Sequence, residues 1–305
     1  MSQAAIFPGQ GAQLVGMGAD VVAVSKAAAD VFAEADALLG FKLSALCFEG
    51  PEERLGATDI QQPAIFTTSV ALFRAAVEKG RIRAEQFGAM GGLSLGEYTA
   101  LHLAGAMSFA DALKLVYRRG QLMQQAAEAQ PGGMVSVLGM DEAQVITVCE
   151  RARPAGRIGP ANYNCPGQIV ISGDQAACNA AMPIIEELGG RGTALKVAGA
   201  FHSELMRPAA EALKPVLAAA QIVPPKCRVI SNVDTTWHTT PDAIRTSLYQ
   251  QVYNPVRWQG CCEKMIGEGM RDFYEIGPNR VLMGLMRKIS REAKVTNIGK
   301  AADLG

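Results

Sequence analysis

Between Met134 and Val197 the chain changes character in an order that few folds accommodate. Met134–Leu138 reads as a strand, Glu142–Arg151 as a helix, and Ile158–Tyr163 and Gln168–Ser172 as strands. Gln175–Leu188 follows as a helix and Thr193–Val197 as a strand. The order β-α-β-β-α-β predicts a ferredoxin-like module of about 70 residues. Pro131-Gly132-Gly133 breaks the helix that precedes it. The module is therefore expected as an insertion, residues 130–197, in a larger unit made of residues 1–129 and 198–305.

That larger unit alternates apolar runs with amphipathic stretches, which favours α/β architecture. Strands are expected at Ala4–Phe7, Gln86–Gly92, Arg228–Asn232 and Asp272–Ile276. Helices are expected at Ala27–Leu39, Pro63–Glu78, Ser94–Leu103, Ser108–Ala129, Ser203–Ala220, Pro241–Gln251 and Val281–Glu292. The start at Ser108 is marked by Asp111 three residues on.

Charge narrows the functions. With 29 Lys and Arg against 29 Asp and Glu the formal net charge is zero, which gives no argument for nucleic acid or an acidic membrane surface. No apolar run reaches the roughly 18 residues of a membrane span, and no signal peptide is read at the start. The seven cysteines contain no Cys-x-x-Cys pair. They read as small buried hydrophobes in a reducing compartment, and a cytoplasmic location is expected. With three histidines, His102, His202 and His238, a zinc site is not expected.

Gly92-Leu93-Ser94-Leu95-Gly96 fits Gly-x-Ser-x-Gly. Such a serine sits on a sharp strand-to-helix turn, with its hydroxyl over the N-terminus of the following helix, where negative charge is stabilised. A plain tight turn is the alternative. A serine nucleophile needs a base. His102 lies more than two turns along the same helix, and His238 lies in a Thr-rich loop. His202, in Gly199-Ala200-Phe201-His202-Ser203, stands at a loop-to-helix junction suited to a cleft and is the chosen base. One oxyanion-hole donor is expected from the N–H of Leu95. A second is sought in the loop Phe7–Gln13, which could equally be only a turn.

Arg119 lies in the middle of an apolar helical face made by Ala112, Leu115, Val116, Leu122, Met123 and Ala126. A cation there needs an anionic partner, and no carboxylate occupies positions 115, 116, 122 or 123. It pairs either with a distant acid or, as a bidentate fork, with a substrate carboxylate.

These residues occur in order with Asn162-Tyr163-Asn164, Pro166-Gly167-Gln168, Gln251–Val256 and Glu275-Ile276-Gly277-Pro278. The set resembles the malonyl-CoA:acyl carrier protein transacylase family from about residue 4 to about residue 298. The resemblance implies an α/β-hydrolase-like core with the ferredoxin-like insertion. It implies Ser94 as nucleophile, His202 as base, Gln10 and Leu95 N–H groups for the oxyanion, and Arg119 for the malonyl carboxylate. Gln251 would orient His202 through its main-chain carbonyl. The implied partners are malonyl-CoA and acyl carrier protein, with no metal or cofactor, no nucleic acid and no membrane, and a monomer is expected. Leu93 departs from the histidine commonest in the family, a change that bears on turnover or acyl selectivity. Basic residues such as Arg191, Lys196, Arg287 and Lys288 are candidates for the acidic partner's rim, or ordinary solvated charges.

Other readings remain at this point. A hydrolase acting on water would place its histidine near the end of the chain, whereas 103 residues follow His202. A non-catalytic binding module and a freestanding acyltransferase of a polyketide pathway are the other two.

Overall fold

The computed structural model describes residues 2–305. Among these residues nine strands form two sheets. In chain order they are β1 (Gln3–Phe7), β2 (Phe87–Gly92), β3 (Gly132–Leu138), β4 (Ile158–Cys165), β5 (Gln168–Asp174), β6 (Arg191–Ala194), β7 (Arg228–Val229), β8 (Asp272–Ile276) and β9 (Lys294–Ile298). The larger sheet runs β7-β2-β1-β8-β9, with every pair parallel. A parallel sheet needs helices on both faces. Accordingly Ala5 and Phe7 face one apolar cluster while Ala4 and Ile6 face another. The period of two in β1 divides the core.

The smaller sheet is antiparallel, in the order β4-β5-β3-β6. Val135, Val137, Ile169 and Ile171 turn to the helices Glu142–Ala152 and Gln175–Glu187 and close a separate core. Met134 and Val170, on the opposite face, join the core of the larger unit. One sheet thus serves two cores, which ties the units together. A backbone tie reinforces it: Tyr163 N–H donates to Val256 O (2.9 Å) and Val256 N–H to Ala161 O (2.8 Å).

The crossing of the helix Leu95–Leu103 over β1 and β2 is the tightest element of the larger unit. A Cβ on Gly96 would lie 2.1 Å from Phe7 O, and one on Gly92 would lie 2.0 Å from the Gly96 carbonyl carbon. Only glycine permits that approach.

Several expected bounds shift. The helix expected from Pro63 begins at Thr58 and carries Pro63 inside it. Thr58 and every residue from Ile60 to Phe73 are buried, so burial of the added turn outweighs the hydrogen bond that proline removes. The strand expected to Asn232 keeps only Arg228–Val229 in the ladder; Ile230 instead bridges Trp237, and the chain turns away. The last helix ends at Ile289, where Ser290 turns extended. The helix Trp258–Gly267 was not expected, although Trp258, Cys261, Cys262 and Met265 carry the buried spacing of three and four. Strand β9, half-exposed at the sheet edge, shows no clear alternation. Among the described residues no helix is long and apolar enough to cross a membrane.

Gly96→Ala is expected to destabilise the fold by about 2–3 kcal/mol, because backbone rather than a flexible side chain must move. Gly267→Ala has open space and should leave the midpoint equal or slightly higher. Urea unfolding of both variants checks the pair.

Candidate active site

β2 ends at Gly92, and two residues later the chain enters the helix Leu95–Leu103. Ser94 makes that corner at φ 52°, ψ −100°. Only four non-glycine residues with positive φ are found among those described, Ser94, His202, Thr235 and Asn279. Two of the four are therefore the nucleophile and base expected from sequence. Such backbone persists only where its surroundings over-determine it. Ser94 N–H donates to Asn232 Oδ1 (2.6 Å), and Asn232 Nδ2 donates to Gly92 O (2.9 Å).

Ser94 Oγ lies 2.8 Å from His202 Nε2. His202 Nδ1 lies 2.8 Å from the main-chain oxygen of Gln251. A carbonyl can only accept, so Nδ1 carries the proton and Nε2 presents a lone pair to the hydroxyl. Burial, and secondarily the Arg119 charge, push the His202 pKa down to about 4. The imidazole is thus held neutral, as a base must be.

Arg119 is 1% exposed. Its Nη1 donates to Gln62 Oε1 (2.7 Å), and its Nη2 donates to Ser94 Oγ (2.9 Å) and Gln251 Oε1 (3.0 Å). Its guanidinium carbon stands 5.4 Å from the Tyr98 ring centroid. Nε has no hydrogen-bond partner among the described residues. All these contacts are neutral. Burial pulls the guanidinium pKa below its usual value, but an arginine stays charged. The site therefore holds a cation aimed at the nucleophile with no anion in contact.

The N–H groups of Gln10 and Leu95 donate to no other group among the described residues. That of Leu95 opens a helix, where the first N–H groups have no intrahelical acceptor. Gln10 lines a cavity of about 200 Å³ together with Leu93, Ser94, Phe201, His202 and Val281, and Leu95 follows Ser94 directly in the chain. A second, of about 610 Å³, also reaches His202, between Arg157, Ser172, Tyr253 and Asn254. It touches His202 but not Ser94, whereas the smaller one touches both. Leu93 gives that cavity an apolar wall next to Ser94.

The six residues singled out from sequence thus gather here. Three others, Gln62, Asn232 and Glu97, were missed. Gln62 and Asn232 hold Arg119 and the elbow, and Glu97 pairs with His238 (Oε1 to Nε2, 2.7 Å). Only Glu97 gave a signal, an acid in a helix whose neighbours Tyr98–Leu101 are all buried. His102, set aside as a base, is satisfied by Met107 O (3.0 Å) and packed against Phe66 and Phe109. No group of three or more His, Cys, Asp or Glu among the described residues could hold a metal ion.

With His202 as the base expected from sequence, acylation of Ser94 would need its neutral form, so the rate should fall only as pH drops through the lowered pKa. The acid limb of kcat/KM, which reports the free enzyme, is expected near pH 4 rather than near 6.5. A limb near 6.5 would mean the base is solvated.

Comparison with known proteins places this geometry. Malonyl CoA-acyl carrier protein transacylase of Bacillus subtilis (strain 168) is 45% identical over 291 residues, 95% of this chain and 90% of that protein. The crystal structure of an acyl carrier protein S-malonyltransferase from Vibrio cholerae is 39% identical, with a TM-score of 0.95 over 100% of this chain and 99% of that one. A malonyl-transacylase solved in complex with its type II polyketide synthase acyl-carrier protein is 38% identical, with a TM-score of 0.95 over 100% and 98%. Residues 5–304 match the family described as acyl transferase domain, and the chain belongs to that family.

Proposed function

We infer that this protein transfers the malonyl group from malonyl-CoA to the phosphopantetheine thiol of an acyl carrier protein, supplying fatty acid synthesis. The observation that carries the reading is the buried Arg119 guanidinium 2.9 Å from a serine hydroxyl that is itself 2.8 Å from a neutral histidine. A cation at that place suits an acyl group that ends in a carboxylate. In this reading residues 1–129 and 198–305 are the catalytic subdomain and 130–197 the small one, and the enzyme works as a cytoplasmic monomer.

The malonyl carboxylate takes the Arg119 fork in place of its neutral acceptors. Ser94 Oγ attacks the thioester carbonyl as its proton passes to His202 Nε2. The oxyanion is received by the N–H groups of Gln10 and Leu95. When the C–S bond breaks, His202 returns the proton to the CoA thiolate, leaving malonyl-serine. His202 next takes the proton of the carrier's thiol, the sulfur attacks the ester, and the Ser94 alkoxide leaves and recovers the proton. Gln251 O keeps Nδ1 protonated through both halves. A main-chain carbonyl does this without the negative charge that would raise the pKa of the base.

A second reading keeps the chemistry and changes the pathway, with a polyketide carrier protein as acceptor. The likeness to a transacylase bound to such a carrier favours keeping it. Rates with fatty acid and polyketide carrier proteins separate the two.

Intact-mass spectrometry after mixing with malonyl-CoA should show one malonyl group, absent from Ser94→Ala. His202→Ala should slow acylation by on the order of 10³-fold at neutral pH. Arg119→Ala should cost malonyl-CoA on the order of 10²-fold in kcat/KM, and acetyl-CoA far less, since only malonyl carries a carboxylate. Equal losses would make the arginine merely structural.

A further inference from the structure

Behind the nucleophile lies a carboxylate that the transfer chemistry does not use. Glu97 is wholly buried, in the first turn of the helix that follows Ser94. It is not the third member of a triad, because its histidine is His238 rather than His202. Its other oxygen, Oε2, accepts from Asn232 N–H (3.0 Å) and Gln251 Nε2 (2.7 Å). Asn232 holds the Ser94 backbone; Gln251 holds both Arg119 and His202. One carboxylate therefore joins the three segments that carry nucleophile, base and cation.

The donor and acceptor pattern explains what that link does. The Gln251 carboxamide sits between Arg119, which can only donate, and Glu97, which can only accept. Its oxygen faces the guanidinium, and its nitrogen donates to Glu97 and to Ser94 O (3.0 Å). When a substrate carboxylate occupies Arg119 Nη2, Gln251 Oε1 loses its strongest partner. Glu97 then keeps the carboxamide from turning and presenting N–H groups to the cation.

We propose that Glu97 is a positioning residue for acyl selection: through Gln251 it holds the Arg119 fork in line with Ser94 while a carboxylate-bearing acyl group is bound. The proposal rests on the malonyl-transfer reading above. Glu97→Gln can satisfy the same network, its oxygen accepting from Gln251 and Asn232 and its amide donating to His238 Nε2 in the other tautomer. His238 Nδ1 has no recorded partner among the described residues that would oppose the exchange. Glu97→Met fills similar space and accepts nothing.

The test is single-turnover acylation of Ser94, followed by intact mass, with malonyl-CoA and acetyl-CoA for wild type and both variants. Thermal unfolding establishes that each is folded. Glu97→Met should lower the malonyl-to-acetyl ratio of kcat/KM by about 10-fold or more, mainly through KM for malonyl-CoA, and Glu97→Gln should stay within about 3-fold of wild type. Parallel losses for both acyl groups, or equal behaviour of the two variants, overturn the proposal. Should Glu97→Met not fold, Gln251→Leu cuts the link at its other end and keeps the main-chain carbonyl. It must then show the same malonyl-selective loss, and a parallel loss overturns the proposal equally. Wild type that gains no malonyl group would sink the transfer reading itself, an outcome distinct from either.

Discussion

A guanidinium buried to 1% exposure with no carboxylate in contact is the constraint around which the site is arranged. Desolvating a cation is costly unless its donors are met. Here four elements contribute, and only Nε is left without a partner among the described residues. Gln62 comes from the helix Thr58–Glu78, Ser94 from the elbow, Tyr98 from the helix after it and Gln251 from the end of the helix Pro241–Gln251. Each supplies a neutral oxygen or a ring face, and none cancels the charge. The protein thus bears a standing electrostatic imbalance, which in the proposed reading an anionic acyl group relieves.

The base depends on the same arrangement. His202 sits close enough to Arg119 for the cation to disfavour its protonation, and burial acts in the same direction. Had a carboxylate oriented Nδ1, it would have opposed both effects and neutralised the fork as well. The main-chain oxygen of Gln251 orients without charge. The nearby acid Glu97 is turned to His238, and its hydrogen-bond link to Arg119 runs through the Gln251 carboxamide. Separation of the acid from the base lets a cation and a neutral histidine share one hydroxyl.

Much of the architecture was legible in the chain. The β-α-β-β-α-β order of the smaller sheet, the long helix capped by Ser108 and the strand before Ser94 all follow from apolar period and punctuation. These are local signals, set by neighbours within a few residues. The errors fall where distant packing decided. Pro63 lies inside a helix because its surroundings bury the whole turn. The strand after Arg228 stops early because Ile230 pairs with Trp237 and Asn232 is drawn to the elbow. The apolar spacing in Trp258–Gly267 was present, but Gly260 and the paired cysteines obscured it.

For the site, sequence alone determined the kinds of chemistry available: a serine at a glycine-flanked corner, a histidine at a loop end, and an arginine stranded on an apolar helix face. Those are properties of one residue and its near neighbours, so they survive without coordinates. Tertiary structure alone decided the pairings. Ser94 and His202 are 108 residues apart, and Ser94 and Gln251 are 157 apart. Local pattern favoured His202 among the three histidines, but it could not give the distance to the hydroxyl, or show that Glu97 takes His238. The physical reason is that a hydrogen bond requires about 3 Å between its heavy atoms, and only the packed core brings such distant segments that close.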